Sequence, residues 1–259
     1  MAASVRPMLR VVEREARVFR KLWRGSAFSS FVTPVMFLAA IGLGLGGLVQ
    51  RRTGHVGGLS YLAFVSPGLM AATAMQTAAG SSLWPVMAGT KWVRTYHAIV
   101  ATPVGAADLY GGTVLWAALR AAAAATAFLL VAAGLGGVPS AWGAMAIPAA
   151  ILGAVAFAAP LAAYAATQDT DLTFAVIMRL GIVPLFLFSG TFFPISQLPA
   201  WLRPVSVASP LWHAIELCRA ATSGTAHLAA SAGHIAFLGA CVAAGWRWGT
   251  RTFALRLTP

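Results

Sequence analysis

Charged residues are scarce in this chain: 9% of 259 residues, and only 6 of them are acidic. A soluble globular domain carries about 25%, so a water-facing fold is excluded. The hydrophobic share of 59% and mean hydropathy of +0.79 indicate an integral membrane protein. Cysteine is nearly absent; Cys218 and Cys241 have no metal-ligand spacing and give no disulfide framework. No GxxxxGK(S/T) phosphate loop occurs. Gly89-Thr90-Lys91 lacks both the first glycine and the loop length, so the chain itself is not expected to bind ATP in that way. HExxH and GxSxG are missing too. His55, His97, His213, His227 and His234 have no close carboxylate cluster, which argues against a metal centre and recommends no hydrolase chemistry.

What is present is apolar length. Crossing a hydrocarbon core takes about 20 residues of helix, and six stretches qualify: Phe28–Val49, Leu59–Trp84, Leu109–Leu135, Trp142–Ala166, Phe174–Phe193 and Ala229–Trp248. The expected fold is therefore all-α and polytopic, with no soluble domain left over. Net charge is +12, which in a soluble protein would point to nucleic acid. Its distribution serves orientation instead, and no nucleic-acid partner is expected. With the N-terminus inside, Arg6, Arg10, Arg14, Arg17, Arg20, Lys21, Arg24, Lys91, Arg94, Arg179, Arg247, Arg251 and Arg256 fall on the inner side. Only Arg51, Arg52, Arg203 and Arg219 fall outside, so both termini are expected to be cytoplasmic. The first apolar run starts too late and is too long for the core of a cleaved signal peptide. Arg120 alone sits well inside a span; it is either a structural arginine reaching carbonyls or the bundle interior, or part of an ion pathway, which would normally need an acidic partner at depth.

Two inner segments are amphipathic. In Ser4–Arg24, Val5, Leu9, Val12, Ala16, Phe19 and Trp23 recur at helical spacing beside a basic stripe. Such a helix is expected to lie in the inner interface, where anionic lipid holds it. Glu13 and Glu15 interrupt the basic field; they serve contact with a cytoplasmic partner, or pair with Arg17 and its neighbours. The loop 86–108 mixes Lys91, Arg94 and His97 with Trp92, Val93, Tyr96 and Ile99, which suits a short helix ended by Thr102-Pro103. A connector needs only a few polar residues. The aromatic content suggests a docking surface, or else a helix lying on the lipid interface. In the inner TQDTD turn, Asp169 and Asp171 suit helix N-capping. Gly42 and Gly46 in the first span, and the run Ala121–Ala125, would allow close helix approach.

The outer segment is the most distinctive. From Phe186 to Arg219 the chain is broken by Pro194, Pro199, Pro204 and Pro210, yet it keeps Phe192, Phe193, Leu198, Trp201 and Trp212. Four prolines exclude one straight helix, and so much apolar surface excludes a free loop. A re-entrant helical hairpin, 194–228, satisfies both facts, because irregular backbone at membrane depth survives only when buried in protein or lining a cavity. Its second helix is expected to start near Ser209-Pro210. Glu216 then either faces an outer mouth or pairs with Arg219 or His213.

Taken together, FLFSGTFFPISQLPAWL (186–202), SPLWHAIELCR (209–219), PGLMAATAMQTAAGSSLWP (67–85), KWVRTYHAIVATPV (91–104) and TQDTD (167–171) resemble the ABC type-2 permease family, closest to its nodulation-factor (lipo-oligosaccharide) and daunorubicin-exporter branch. The resemblance implies one transmembrane domain, 1–259, acting as a homodimer or with a paralogous permease. It implies two ATPase subunits as partners, with ATP and Mg bound there and no cofactor on this chain. It makes 1–26 a connecting helix and the 86–108 loop the coupling element. ATPase coupling is then expected at Lys91, Trp92, Arg94, Tyr96, His97, Glu13, Asp169 and Asp171. An outer gate is expected at Phe192, Phe193, Pro194, Leu198, Pro199 and Glu216. The substrate would be an amphipathic drug, glycolipid or lipo-oligosaccharide exported across the plasma membrane. An ion-coupled secondary transporter, lacking the acids it needs at depth, and a polytopic membrane enzyme, lacking a polar constellation, are the alternatives.

Overall fold

A computed structural model of the protein describes residues 5–21, 32, 34–45 and 58–257. Trp23, Arg24, Arg51, Arg52 and residues 28–31, 33 and 46–49 of the expected first span, Gly46 among them, lie outside the described residues. A π-helical turn, Ala40–Leu45, belongs to that span. The described elements are helical: α1 (Val5–Phe19), α2 (Tyr61–Ser82), α3 (Thr95–Val100), α4 (Ala106–Gly134), α5 (Ala146–Thr167), α6 (Leu172–Phe188), α7 (Arg203–Val207), α8 (Pro210–Ser223) and α9 (Leu228–Leu257). Among the described residues, three stretches are long and apolar enough to cross a membrane: Ala106–Gly134, Ala141–Thr167 and Leu228–Leu257. The α2 helix, 22 residues long, is buried along most of its length, as befits a helix apolar all round.

Helix starts follow local chemistry. The Ser60 and Ser209 hydroxyls accept from the amides of Ala63 and Leu211, capping α2 and α8. Pro210 sits in the first turn of α8 as expected, and Pro204 likewise opens α7. The helix α6 ends at Phe188, short of the expected Phe193. At Gly190 the backbone turns with φ +83°, a region closed to most side chains, and apolar composition alone does not reveal such a break. The last helix outruns expectation instead, continuing to Leu257 because Phe253 and Leu257 turn inward.

Small residues set how closely the helices approach. A Cβ on Gly249 would lie 2.1 Å from the Tyr110 ring, and one on Gly245 would lie 2.8 Å from Pro160. These two glycines, four apart on α9, let α4, α5 and α9 meet at Tyr110. The Tyr110 hydroxyl donates to the carbonyl of Gly245 at 2.9 Å and lies 3.1 Å from that of Ala159, tying three helices together. Ala121 and Ala125 are fully buried, in line with the alanine-run expectation.

The α1 face differs from the expected stripe. Val11 and Met8 press on Gly112 and Gly111 of α4, Phe19 reaches Trp116 at 5.7 Å, and Val5, Leu9 and Ala16 remain outward. Thus α1 climbs along α4. This places Arg120, whose guanidinium lies 5.4 Å from the Phe19 ring centroid. A cation–π contact of this kind is a structural tie between α1 and α4.

Candidate coupling and gating sites

At the α1 end of the bundle, an aromatic anchor holds the segment between α2 and α4. Tyr96 on α3 is 4% exposed and packs on Gly89, where any Cβ would strike the ring. Its ring centroid lies 6.1 Å from that of Phe253 on α9, and its hydroxyl lies 3.5 Å from Thr113 Oγ1 on α4. Burial pushes the Tyr96 phenol up to about 12. The sequence reading put Tyr96 on the docking face; the structure turns it inward, because spacing on a short helix does not say which side meets the bundle. With that anchor in place, Trp92 (55% exposed), Val93 (68%), Arg94 and His97 project outward. Arg94 takes a left-handed conformation, φ 56° and ψ 26°, directly before α3. That conformation is uncommon for a non-glycine residue and concentrates at functional sites.

Beside this ridge lies an ionic clasp. Asp169 Oδ1 is 2.5 Å from Lys91 Nζ and 2.5 Å from Arg256 Nη2. One carboxylate therefore joins the loop after α2, the α5–α6 turn and the end of α9. Arg256 also donates to the Gln168 carbonyl at 3.3 Å. Hydrogen bonds from Lys91 and then Arg256 hold the Asp169 carboxyl down at about 2. Asp169 is thus a bridge, not the helix cap expected from its position. Asp171 does sit at the N-cap of α6, but without a side-chain capping bond. The turn is braced instead by Tyr164 Oη donating to Thr173 Oγ1 at 2.9 Å. Glu13 pairs with Arg17 at 2.5 Å along α1, the helical pairing foreseen as one of its two roles. Of the expected coupling residues, the structure brings Lys91 and Asp169 together, arrays Trp92, Arg94 and His97 beside them, and leaves Glu13 and Asp171 in local contacts. Arg256 was missed. It reads as one more inner charge, with nothing to mark its partner.

At the opposite end, α6, α7 and α8 form a folded-back unit. Ser206 Oγ on α7 donates to the Phe188 carbonyl at 2.8 Å, and Ser189 Oγ meets Ser209 Oγ at 3.2 Å. Thr191 packs directly on Gly68 of α2, where a Cβ would sit 2.9 Å from the Thr191 Cα. Phe192 stacks edge-on with Phe186 at 5.1 Å, and its carbonyl lies 3.4 Å from Tyr61 Oη. Phe193 and Pro194 are half-buried, Leu198 is buried and Pro199 is exposed. Along α8, Cys218 lies against Ala146 and Ala214 against Gly153, so α8 runs antiparallel to α5. Glu216 turns sideways to Arg219, at 2.7 Å. Arg219 in turn donates to the Gly190 carbonyl at 2.7 Å and stacks 4.1 Å above the Phe64 ring. It fastens α8 to the 189–191 turn and to α2. His213 does not pair with Glu216; its Nδ1 lies 2.8 Å from Nδ1 of His234 on α9.

This arrangement defines a helical membrane protein with an anchored loop at one end and a folded-back unit at the other. The profile of the ABC-2 type transporter family matches residues 10–222. The chain is 32% identical over 211 residues to nodulation protein J of Rhizobium meliloti (strain 1021), covering 81% of this chain and 78% of that protein. The protein of the same name from Neorhizobium galegae is 30% identical over 216 residues, covering 83% and 80%. That of Bradyrhizobium diazoefficiens is 30% identical over 221 residues, covering 85% and 82%. The chain belongs to the ABC-2 type transporter family, as the permease subunit of an exporter.

Proposed function

We propose that this permease moves an amphipathic or lipid-linked molecule outward across the plasma membrane. The substrate class is a lipo-oligosaccharide, glycolipid or drug, and the relatives named for nodulation favour the first. Two copies of the chain, or one with a paralogous permease, would pair with two ATPase subunits that carry ATP and Mg. The domain spans 1–259, with 1–26 as connecting helix, 86–108 as coupling loop and 194–228 as re-entrant hairpin between spans five and six. Both termini face the cytoplasm, in keeping with the distribution of Lys and Arg.

The observation that carries the reading is the exposed Trp92-Val93-Arg94-His97 ridge, held on the buried Tyr96 and beside the Asp169 clasp. A rigid lever must be anchored on one side and free on the other. Closure of the ATPase dimer on nucleotide would press this ridge and, through Asp169, move α6 and α9 together. Only nucleotide binding that differs between the two states can drive such a change. At the far end, Phe192 to Leu198 with Glu216 forms the exit gate. The re-entrant reading is supported by α7 returning to the Phe188 level and by α8 running back along α5.

The test is export in inverted membrane vesicles that carry the permease with its ATPase. ATP-dependent uptake should vanish when the phosphate-loop lysine of the ATPase is replaced. Uptake that persists and follows an ion gradient would refute the assignment. Orientation is read by single cysteines: Thr225→Cys should react with an impermeant thiol reagent in intact cells, and Thr95→Cys should not.

A further inference from the structure

A trough of 580 Å³ lies at the hairpin end, between the start of α5, the end of α8 and the start of α9. Its volume falls in the range of small-molecule pockets, about 300–1,000 Å³. Trp142, Met145, Ala149, Ala220, Ala226 and Ile235 line it. The Ser231 hydroxyl and the Trp142 indole N–H are the only polar side-chain groups among its lining residues. Elsewhere in the bundle small residues draw helices together, as Gly245 does on Pro160 and Gly153 on Ala214. Here Ala149, Ala220 and Gly224 line an open channel instead.

Such a space is not a water site, because water needs two to four polar partners. It is not a docking place for a charged or sugar group, because almost nothing in it donates or accepts. Two of the three helices that line it, α5 and α9, belong to the stretches long and apolar enough to cross a membrane, Ala141–Thr167 and Leu228–Leu257. Its rim is graded. Trp142 is 68% exposed, an aromatic of the kind that settles at headgroup level. Close by, Ser223 Oγ and Thr225 Oγ1 are paired at 2.7 Å in the open, and Ser140 Oγ accepts from the Trp142 amide at 3.2 Å. The polar rim and apolar channel match an amphiphile with its head at the interface and one chain inside.

We propose that this trough is a lipid site that holds one acyl chain of a bilayer phospholipid from the leaflet at the hairpin end. The chain fills the gap between α8 and α9 and so supports the folded-back unit from the side away from Arg219. The inference rests on the membrane setting alone, so its failure would leave the export reading untouched.

The test is photolabelling of the full-length permease in vesicles of phosphatidylethanolamine and phosphatidylglycerol doped with phosphatidylcholine carrying a diazirine in its acyl chain. The exposed apolar face of Leu172, Val176 and Leu180 supplies the bulk-lipid background. Peptides 142–152 and 220–235 should be labelled several-fold above that face. Ala149→Phe, which fills the channel, should bring them down to it while labelling at Leu172–Leu180 stays constant. Ala226→Trp, at an exposed rim position, should do the same and guards against misfolding of the first variant. Equal labelling of trough and background, or an excess that neither variant removes, would overturn the proposal. So would an excess that disappears as protein density in the vesicle rises, since a second copy of the chain would then be the occupant. No lipid-linked export substrate is present in such vesicles, so a positive result cannot come from one.

Discussion

Tyr96 and Trp92 sit four residues apart on one loop, yet truncating them should fail in different ways. Tyr96 is buried against Gly89 and Phe253, and its removal leaves a cavity at the foot of the lever. Large-to-small changes of this kind cost about 3–5 kcal/mol. Tyr96→Ala should therefore lower the unfolding temperature of the purified permease and loosen the loop. Tyr96→Phe should do neither, because the hydroxyl gives up only a 3.5 Å contact with Thr113. Trp92 is 55% exposed, so Trp92→Ala should change stability far less, by about 0.5 kcal/mol. A tryptophan at the centre of a docking face is worth about 2 kcal/mol or more, which is about 30-fold in affinity. Thermal unfolding in detergent, together with titration of the ATPase onto immobilised permease, separates the two. Tyr96→Ala unfolding like the wild type, or Trp92→Ala binding the ATPase with unchanged affinity, would refute the division into anchor and contact.

Further outcomes follow from the same geometry. Asp169→Asn should release Lys91 and Arg256 together and uncouple ATP hydrolysis from export at normal expression; coupled export in that variant would dismiss the clasp as decoration. The Asp169 carboxyl is depressed from 3.8 to about 2, so its contribution is fully present above pH 3.8 and fades as pH falls through about 2. This group should therefore give no pH dependence between about pH 5 and 8. Glu216→Ala strips the partner from a largely buried Arg219 and should cost about 1–3 kcal/mol in thermal stability. It should also slow export, while Glu216→Gln should retain more of both; a silent Glu216→Ala would remove it from the gate. Gly249→Val would force a side chain into the Tyr110 ring, which Trp246 and Phe253 already flank. It should destabilise the bundle by about 1–3 kcal/mol or more, measured as a lower unfolding temperature; an unchanged value would mean that α4 and α9 do not meet there.

The legible parts of this protein were those written in composition and local chemistry. Apolar runs marked α2, α4, α5 and α9 to within a few residues at most ends. Ser209-Pro210 announced the start of α8, and Thr102-Pro103 fell in the turn just after α3. Contacts between distant segments were not legible. Nothing near Asp169 says that Lys91 and Arg256 converge on it, since each alone reads as a surface charge. Tyr96 looks identical in sequence whether its ring faces the bundle or a partner. The close approaches at Gly245 and Gly249 carried a four-residue spacing, but in a chain rich in Gly and Ala that spacing is common, and the adjacent Gly111 and Gly112 carried none. Of the Gly42 and Gly46 pair, Gly46 lies outside the described residues. The early end of α6 depended on one backbone angle at Gly190, which hydropathy cannot encode.

The central claim is that the Trp92–His97 ridge is where an ATPase drives this permease. It is tested most directly by placing single cysteines at Trp92 and Arg94, in a chain with Cys218 and Cys241 replaced, and crosslinking in membranes that contain the ATPase. Both cysteines should form an adduct of permease plus ATPase whose yield changes on adding ATP, and a cysteine at Trp142, at the far end of the bundle, should form none. An adduct from Trp142 alone, or none from Trp92 and Arg94 in membranes where the two proteins co-purify, would contradict the account.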